Sequence, residues 1–147
     1  MSATLDFPAP TLGAGRRYVP FPGDSESAGA LLAQAERGLA DAELERDAGQ
    51  RFAAAYLSAL RAAAAMLALR GRPHRGRARP TSVWTLLSSV APEFGEWAAF
   101  FAAGSATRAR VQAGITRHVT VRAADDLVRQ AGQFIELVGR AVHGSST

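Results

Sequence analysis

The chain has 147 residues, which is one ordinary domain with little left over. It carries 17 arginines against 13 acids, a formal net charge of +4, and contains no Lys, no Asn and no Cys. The missing cysteine excludes a disulfide framework, a thiolate zinc site and a cysteine nucleophile.

The start, MSATLDFPAP, lacks the basic and apolar regions of a signal peptide, which reads as a cytoplasmic protein. Residues 1–23 hold Pro8, Pro10, Pro20 and Pro22 and show no apolar period. Proline fixes φ and lacks an amide donor, so an extended or disordered arm is expected. Its Phe7, Tyr18, Val19 and Phe21 are either a strap on the domain or a linear motif for a partner. The domain itself is expected over 24–143, with 144–147 as a tail.

Ser25 or Ser27 is placed to cap a first helix reaching about Glu45, with Leu31, Leu32, Ala35 and Leu39 as its apolar stripe. Asp47-Ala48-Gly49 interrupts it. A second helix, about 50–70, is nearly half Ala and carries two stripes. Phe52, Tyr56, Ala59, Ala63 and Leu67 form one, and Leu57, Leu60 and Ala64 the other. Two stripes imply several neighbours, so this is the expected central helix. Arg61 near its middle costs roughly 2.5–3.5 kcal/mol in a bilayer, so no membrane span is expected.

Residues 71–80, GRPHRGRARP, break the pattern. Thr81 or Ser82 then caps a third helix, with a kink at Ala91 before Pro92. Phe94, Trp97, Ala98, Phe101 and Ala102 continue it at helical spacing, and Gly114 is a natural stop. Thr120 caps a last helix with Leu127, Ala131, Phe134, Ile135, Val138 and Val142 on one face, ended by Gly144. The expected fold is all-α: an up-and-down bundle of four long helices, the third broken near Pro92.

Charge is unevenly placed along this chain. Residues 24–47 carry seven acids against two arginines, and residues 66–124 carry nine arginines against two acids. Arg70, Arg72, Arg75, Arg77 and Arg79 fall within ten residues, with His74 among them. Guanidinium forks match phosphate geometry, so this loop reads as a nucleic-acid contact, joined by Arg108 and Arg122. The alternative is that the loop faces the acidic first helix. No P-loop, His-Glu-x-x-His or GxGxxG pattern is present, and neither metal nor cofactor is expected. Asp125-Asp126 fits the first turn of the last helix, where carboxylates oppose the macrodipole. Arg110, Arg117 and His118 form the catalytic candidate: an imidazole moves protons while a guanidinium stabilises phosphorane charge. Equally, Arg117 and His118 read as ordinary loop residues.

The runs RFAAAYLSALRAAAAMLALRGRP and SVWTLLSSVAPEFGEWAAFFAAGSATRA, with AADDL in the last helix, resemble an actinobacterial branch of the HEPN superfamily (higher eukaryotes and prokaryotes nucleotide-binding domains) over about residues 27–142. The resemblance implies an all-α bundle, frequently dimeric, in a superfamily rich in RNases and RNA-binding modules. Active members share an Arg, a polar residue soon after it, and a His four to six residues beyond the Arg. Here seven residues separate Arg110 from His118, three separate Arg70 from His74, and Arg117 directly precedes His118. The resemblance therefore implies the bundle without the cleavage motif.

Three functions follow as expectations. The first is a non-catalytic homodimeric module binding RNA, a nucleotide or an acidic protein through arginines. The second is a metal-independent endoribonuclease using His118 with Arg110 or Arg117. The third is a protein–protein adaptor. Phe100 lies off the stripe of Phe94, Trp97 and Phe101, so Phe100 and Trp97 are its candidate interface residues.

Overall fold

The structure, a computed structural model, describes residues 23–71 and 82–144. The expected arm, the last residues of the tail, and Arg72, His74, Arg75, Arg77 and Arg79 lie outside these. The described residues form six α-helices and no strand: α1 (Ser25–Leu44), α2 (Ala48–Arg70), α3 (Val83–Val90), α4 (Gly95–Ala103), α5 (Ser105–Gln112) and α6 (Val121–Gly144). A 3₁₀ turn, Pro92–Phe94, joins α3 to α4.

Each long helix begins on a side-chain oxygen. Asp24, rather than Ser25 or Ser27, caps α1 by accepting from the amides of Glu26 and Ser27, both at 3.1 Å. Ser27 supports the cap, donating its hydroxyl to the other carboxylate oxygen at 2.7 Å. That hydroxyl bond and the Ser27 amide hold the Asp24 carboxyl below its usual range. Asp47 caps α2 through the Gln50 amide at 2.9 Å, Ser82 caps α3 through Thr85 at 3.1 Å, and Thr120 caps α6 through Ala123 at 2.9 Å.

Gly49 was expected in a break and lies inside α2. A Cβ there would stand 2.8 Å from Cγ2 of Thr116, so the missing side chain lets the α5–α6 connection rest against α2. Gly114, at φ +87°, ends α5's last turn in the left-handed conformation as expected.

The third helix, expected to be broken near Pro92, is broken there and once more, giving three helices. Ala91 turns away at φ −134°, ψ 76°, ahead of Pro92. A second break falls at Gly104, where no side chain caps α5 and a Cβ would lie 3.4 Å from the Tyr56 ring. The backbone settles there on the tyrosine, whose hydroxyl donates to the Phe101 carbonyl at 2.8 Å.

Contacts along the helices fix their directions. The Asp24 amide bonds the Ala68 carbonyl at 2.7 Å, and the ends of α1 and α2 are joined by a short connection, so the two are antiparallel. Gly132 faces Leu39 and Gly139 faces Leu32, so α6 is antiparallel to α1 and runs with α2. The α4–α5 pair runs back against α2. Short connections were expected to make every neighbour antiparallel, but α3 runs with α2: Trp84 sits at Tyr56, and Val90 sits at Arg70.

The core is alanine between long helices and aromatic beside the short ones. Ala28, Ala35, Ala42, Ala55, Ala59, Ala62, Ala63, Ala124 and Ala131 are all fully buried, which brings the α1, α2 and α6 backbones close. All six residues expected on the inner face of α6 are buried. By length and composition α2 is apolar enough to cross a membrane, with a window of mean hydropathy 1.6. In the fold it is the central helix, packed by α1, α3, α5 and α6. Leu57 departs from the two-stripe reading and stays 37% exposed.

Candidate functional site

The α5–α6 junction carries four exposed basic side chains, Arg110, Arg117, His118 and Arg122. Arg110 stands in the last turn of α5, where its carbonyl accepts the Ile115 amide at 2.8 Å and closes the helix end. Arg117 and His118 occupy a turn closed by the Val119 amide on the Thr116 carbonyl at 3.0 Å. Both side chains and that of Arg110 are exposed. Arg117 Nε donates to His118 Nε2 at 3.5 Å. Arg122 follows, 92% exposed and 4.0 Å from Asp126, whose closer partner is Arg129 at 2.8 Å. Arg110, Arg117 and His118 have no ion-pair partner among the described residues.

Other candidates separate from this end. Arg108 and Arg110 are two residues apart on a helix, so they leave it on opposite sides. Arg108 turns inward and sits 5.5 Å from the Tyr56 ring centroid. Arg70, the described member of the arginine-rich run, pairs with Glu93 and also donates to the Val90 carbonyl at 3.4 Å. It thereby ties the end of α2 to the end of α3. Trp97 is half-buried, with ring centroids 6.3 Å from Phe101 and 5.8 Å from Phe134, whereas Phe100 is 44% exposed.

The Arg70 hydrogen bond, ahead of all other causes, holds the Glu93 carboxyl below its ordinary range. A carboxyl with a depressed folded pKa adds stability above its unfolded pKa and loses it as pH falls through the folded one. Glu93→Gln is therefore expected to be less stable than the parent at neutral pH. Urea unfolding at a series of pH values should show the two converging as the pH falls through the lowered Glu93 pKa.

Arg51 escaped the sequence reading. It is only 16% exposed and donates to the Glu45 carbonyl at 2.9 Å, the Arg46 carbonyl at 3.2 Å and Asp125 at 2.8 Å. One guanidinium thus closes the α1–α2 connection and fastens it to α6. The Asp125-Asp126 pair, expected in the first turn of the last helix, lies in the second turn of α6, where Asp126 joins Arg122 and Arg129, so the pair serves ion pairing between and along helices instead of the helix N-terminus. Arg51→Gln is expected to cost about 2 kcal/mol in chemical unfolding, because two carbonyls and a carboxylate lose a charged donor.

Among the described residues no group of three or more His, Asp or Glu is placed to hold a metal. An all-helical domain with exposed bases gathered at one helix junction defines the class, and the family comparison narrows it. The model of the SAV_6107-like HEPN family matches residues 42–139, from the end of α1 through most of α6, and the chain belongs to that family within the HEPN superfamily. No curated protein and no solved structure matches the chain significantly.

Proposed function

We propose that this domain is a non-catalytic HEPN module that binds RNA, a nucleotide or another phosphate-bearing partner at the α5–α6 end, with Arg110, Arg117 and Arg122 supplying the charge. The supporting observation is their exposure within thirteen residues, with Arg110 and Arg117 unpaired among the described residues. Of the other described arginines, Arg51, Arg70, Arg129 and Arg140 each hold a carboxylate, while Arg37, Arg46 and Arg61 form no ion pair but are spread over α1, α2 and the connection between them. Three guanidiniums on a single strand release about three counterions and give a salt slope near −2.

The absence of cleavage rests on placement. His118 lies beyond the end of α5, eight residues after Arg110 and past the Gly114 turn, and its Nε2 lies 3.5 Å from Arg117 Nε. The same contact is the observation behind a second reading. A guanidinium beside an imidazole is the pairing RNA cleavage uses, so His118 with Arg117 or Arg110 remains the nuclease alternative.

One experiment separates them. Labelled single-stranded RNA is incubated with the purified protein in EDTA and followed by anisotropy and gel. Binding at about 50 mM salt without cleavage is the expected result. Cleavage that disappears in His118→Ala would establish the nuclease, and neither binding nor cleavage would reject both readings.

A further inference from the structure

One face of α2 and one face of α5 meet around a cleft of about 520 Å³. Gln50, Ala54 and Leu57 line it from α2, and Arg108, Val111 and Gln112 line it from α5. Glu45, at the α1–α2 connection, completes the wall. This volume is in the range of small-molecule pockets. The space is open because the alanines of this α2 face are too short to fill it, which also leaves Leu57 37% exposed.

The polar groups in the cleft point to a ligand class. The Arg108 guanidinium is held against the face of Tyr56 and has no ion-pair partner among the described residues. Its Nε is buried without an acceptor, so the side chain is positioned by ring contact instead of by a carboxylate. A cation held in this way keeps its charge for an incoming anion. Its planar fork fits a carboxylate in a two-point contact. Gln50 and Gln112 add amides that both donate and accept. Leu57, Ala54 and Val111 supply an apolar wall.

We propose that this cleft binds a small carboxylate with a short apolar body, the carboxylate on Arg108 and the body against Leu57, Ala54 and Val111. A phosphate dianion fits less well, because one guanidinium leaves half its charge uncompensated with Glu45 on the same wall. The ligand has two sources, a free apolar acid or an apolar amino acid whose ammonium Glu45 receives. The site is independent of the phosphate-binding reading, since Arg108 and Arg110 leave α5 on opposite sides.

The test is a titration of the full chain with isocaproate and, separately, with leucine, followed by amide chemical shifts. Saturable shifts confined to residues 50–57 and 108–112, half-complete at about 1 mM or below, are expected for at least one of them. Tighter isocaproate binding identifies a free acid, and tighter leucine binding an amino acid. Arg108→Gln should weaken binding by about tenfold or more. Ala54→Phe, which fills the cleft, should abolish it with a dispersed spectrum retained, and it carries the test if the Arg108 variant fails to fold. Shifts that do not saturate by about 10 mM, shifts centred on 115–122, or unchanged binding in both variants would overturn the proposal.

Discussion

Phe101→Ala lowers the unfolding free energy by about 3–5 kcal/mol, the largest loss expected of any single truncation in this domain. Phe101 is fully buried. Its ring centroid lies 5.0 Å from Trp84 on α3, 5.3 Å from Phe134 on α6 and 6.3 Å from Tyr56 on α2. One side chain from α4 therefore joins three other helices. The alanine-rich α1–α2–α6 packing cannot collapse into the space, because its backbones are already close. Truncation leaves a cavity and removes aromatic pairs worth about 0.5–1.5 kcal/mol each beyond their buried area. Tyr56→Phe provides the comparison. It keeps the ring and removes the hydroxyl that accepts from Trp84 Nε1 and donates to the Phe101 carbonyl. About 1–3 kcal/mol is expected there. Burial pushes the Tyr56 phenol above its usual range, against the Trp84 hydrogen bond and the Arg108 charge, so it stays protonated across the stable range. Urea unfolding followed by circular dichroism checks both variants. A loss below about 1 kcal/mol for Phe101→Ala would mean that the aromatic cluster is not the centre of the core.

The second large effect is functional. Replacing Arg110, Arg117 and Arg122 together by Glu lowers affinity for single-stranded RNA about 100-fold at 0.1 M salt. The size follows from counterion release: each phosphate neutralised contributes roughly 0.7 log units between 1 M and 0.1 M salt, and three contacts give about two. All three side chains are exposed, so the far-ultraviolet spectrum should not change. Arg140→Glu is the control, since Arg140 is on the last turns of α6, away from the junction, and 72% exposed. Arg70 is unsuitable as a control because its reversal breaks the tie to Glu93 and the Val90 carbonyl.

The parts of this account visible in the sequence are the local ones. The inner face of α6 is a sustained 3.6-residue pattern over 24 residues, and every expected position is buried. Ala91-Pro92 and Gly114 act through backbone geometry and marked their breaks directly. The second break, at Gly104, carries no such mark. It depends on a tyrosine forty-eight residues earlier, against which the turn settles. Asp24 was overlooked as a cap because two serines followed it, and one of them supports it. The course of α3 along α2 is set by which residues meet, Trp84 at Tyr56 and Val90 at Arg70, and a helical period does not encode that.

The candidate site divides in the same way. Charge segregation was legible because it needs only counting. The fate of each arginine was not, because its partner lies far off in the chain. Arg51 meets Asp125 across 74 residues, and Arg70 meets Glu93 across 23. Arg108 and Arg110 look equivalent in the sequence, yet one stacks on Tyr56 and the other faces solvent. That difference is a matter of helix phase, and phase is set once α5 has been broken from α4.

The central claim, a phosphate-bearing partner held by Arg110, Arg117 and Arg122, is tested most directly by the salt dependence of RNA binding. Anisotropy titrations across a range of salt concentrations give the slope of log affinity against log salt for the parent and for the triple Glu variant. A parent slope near −2 that falls towards zero in the variant is expected. Equal slopes in the two proteins would contradict it and remove the α5–α6 end from the interface.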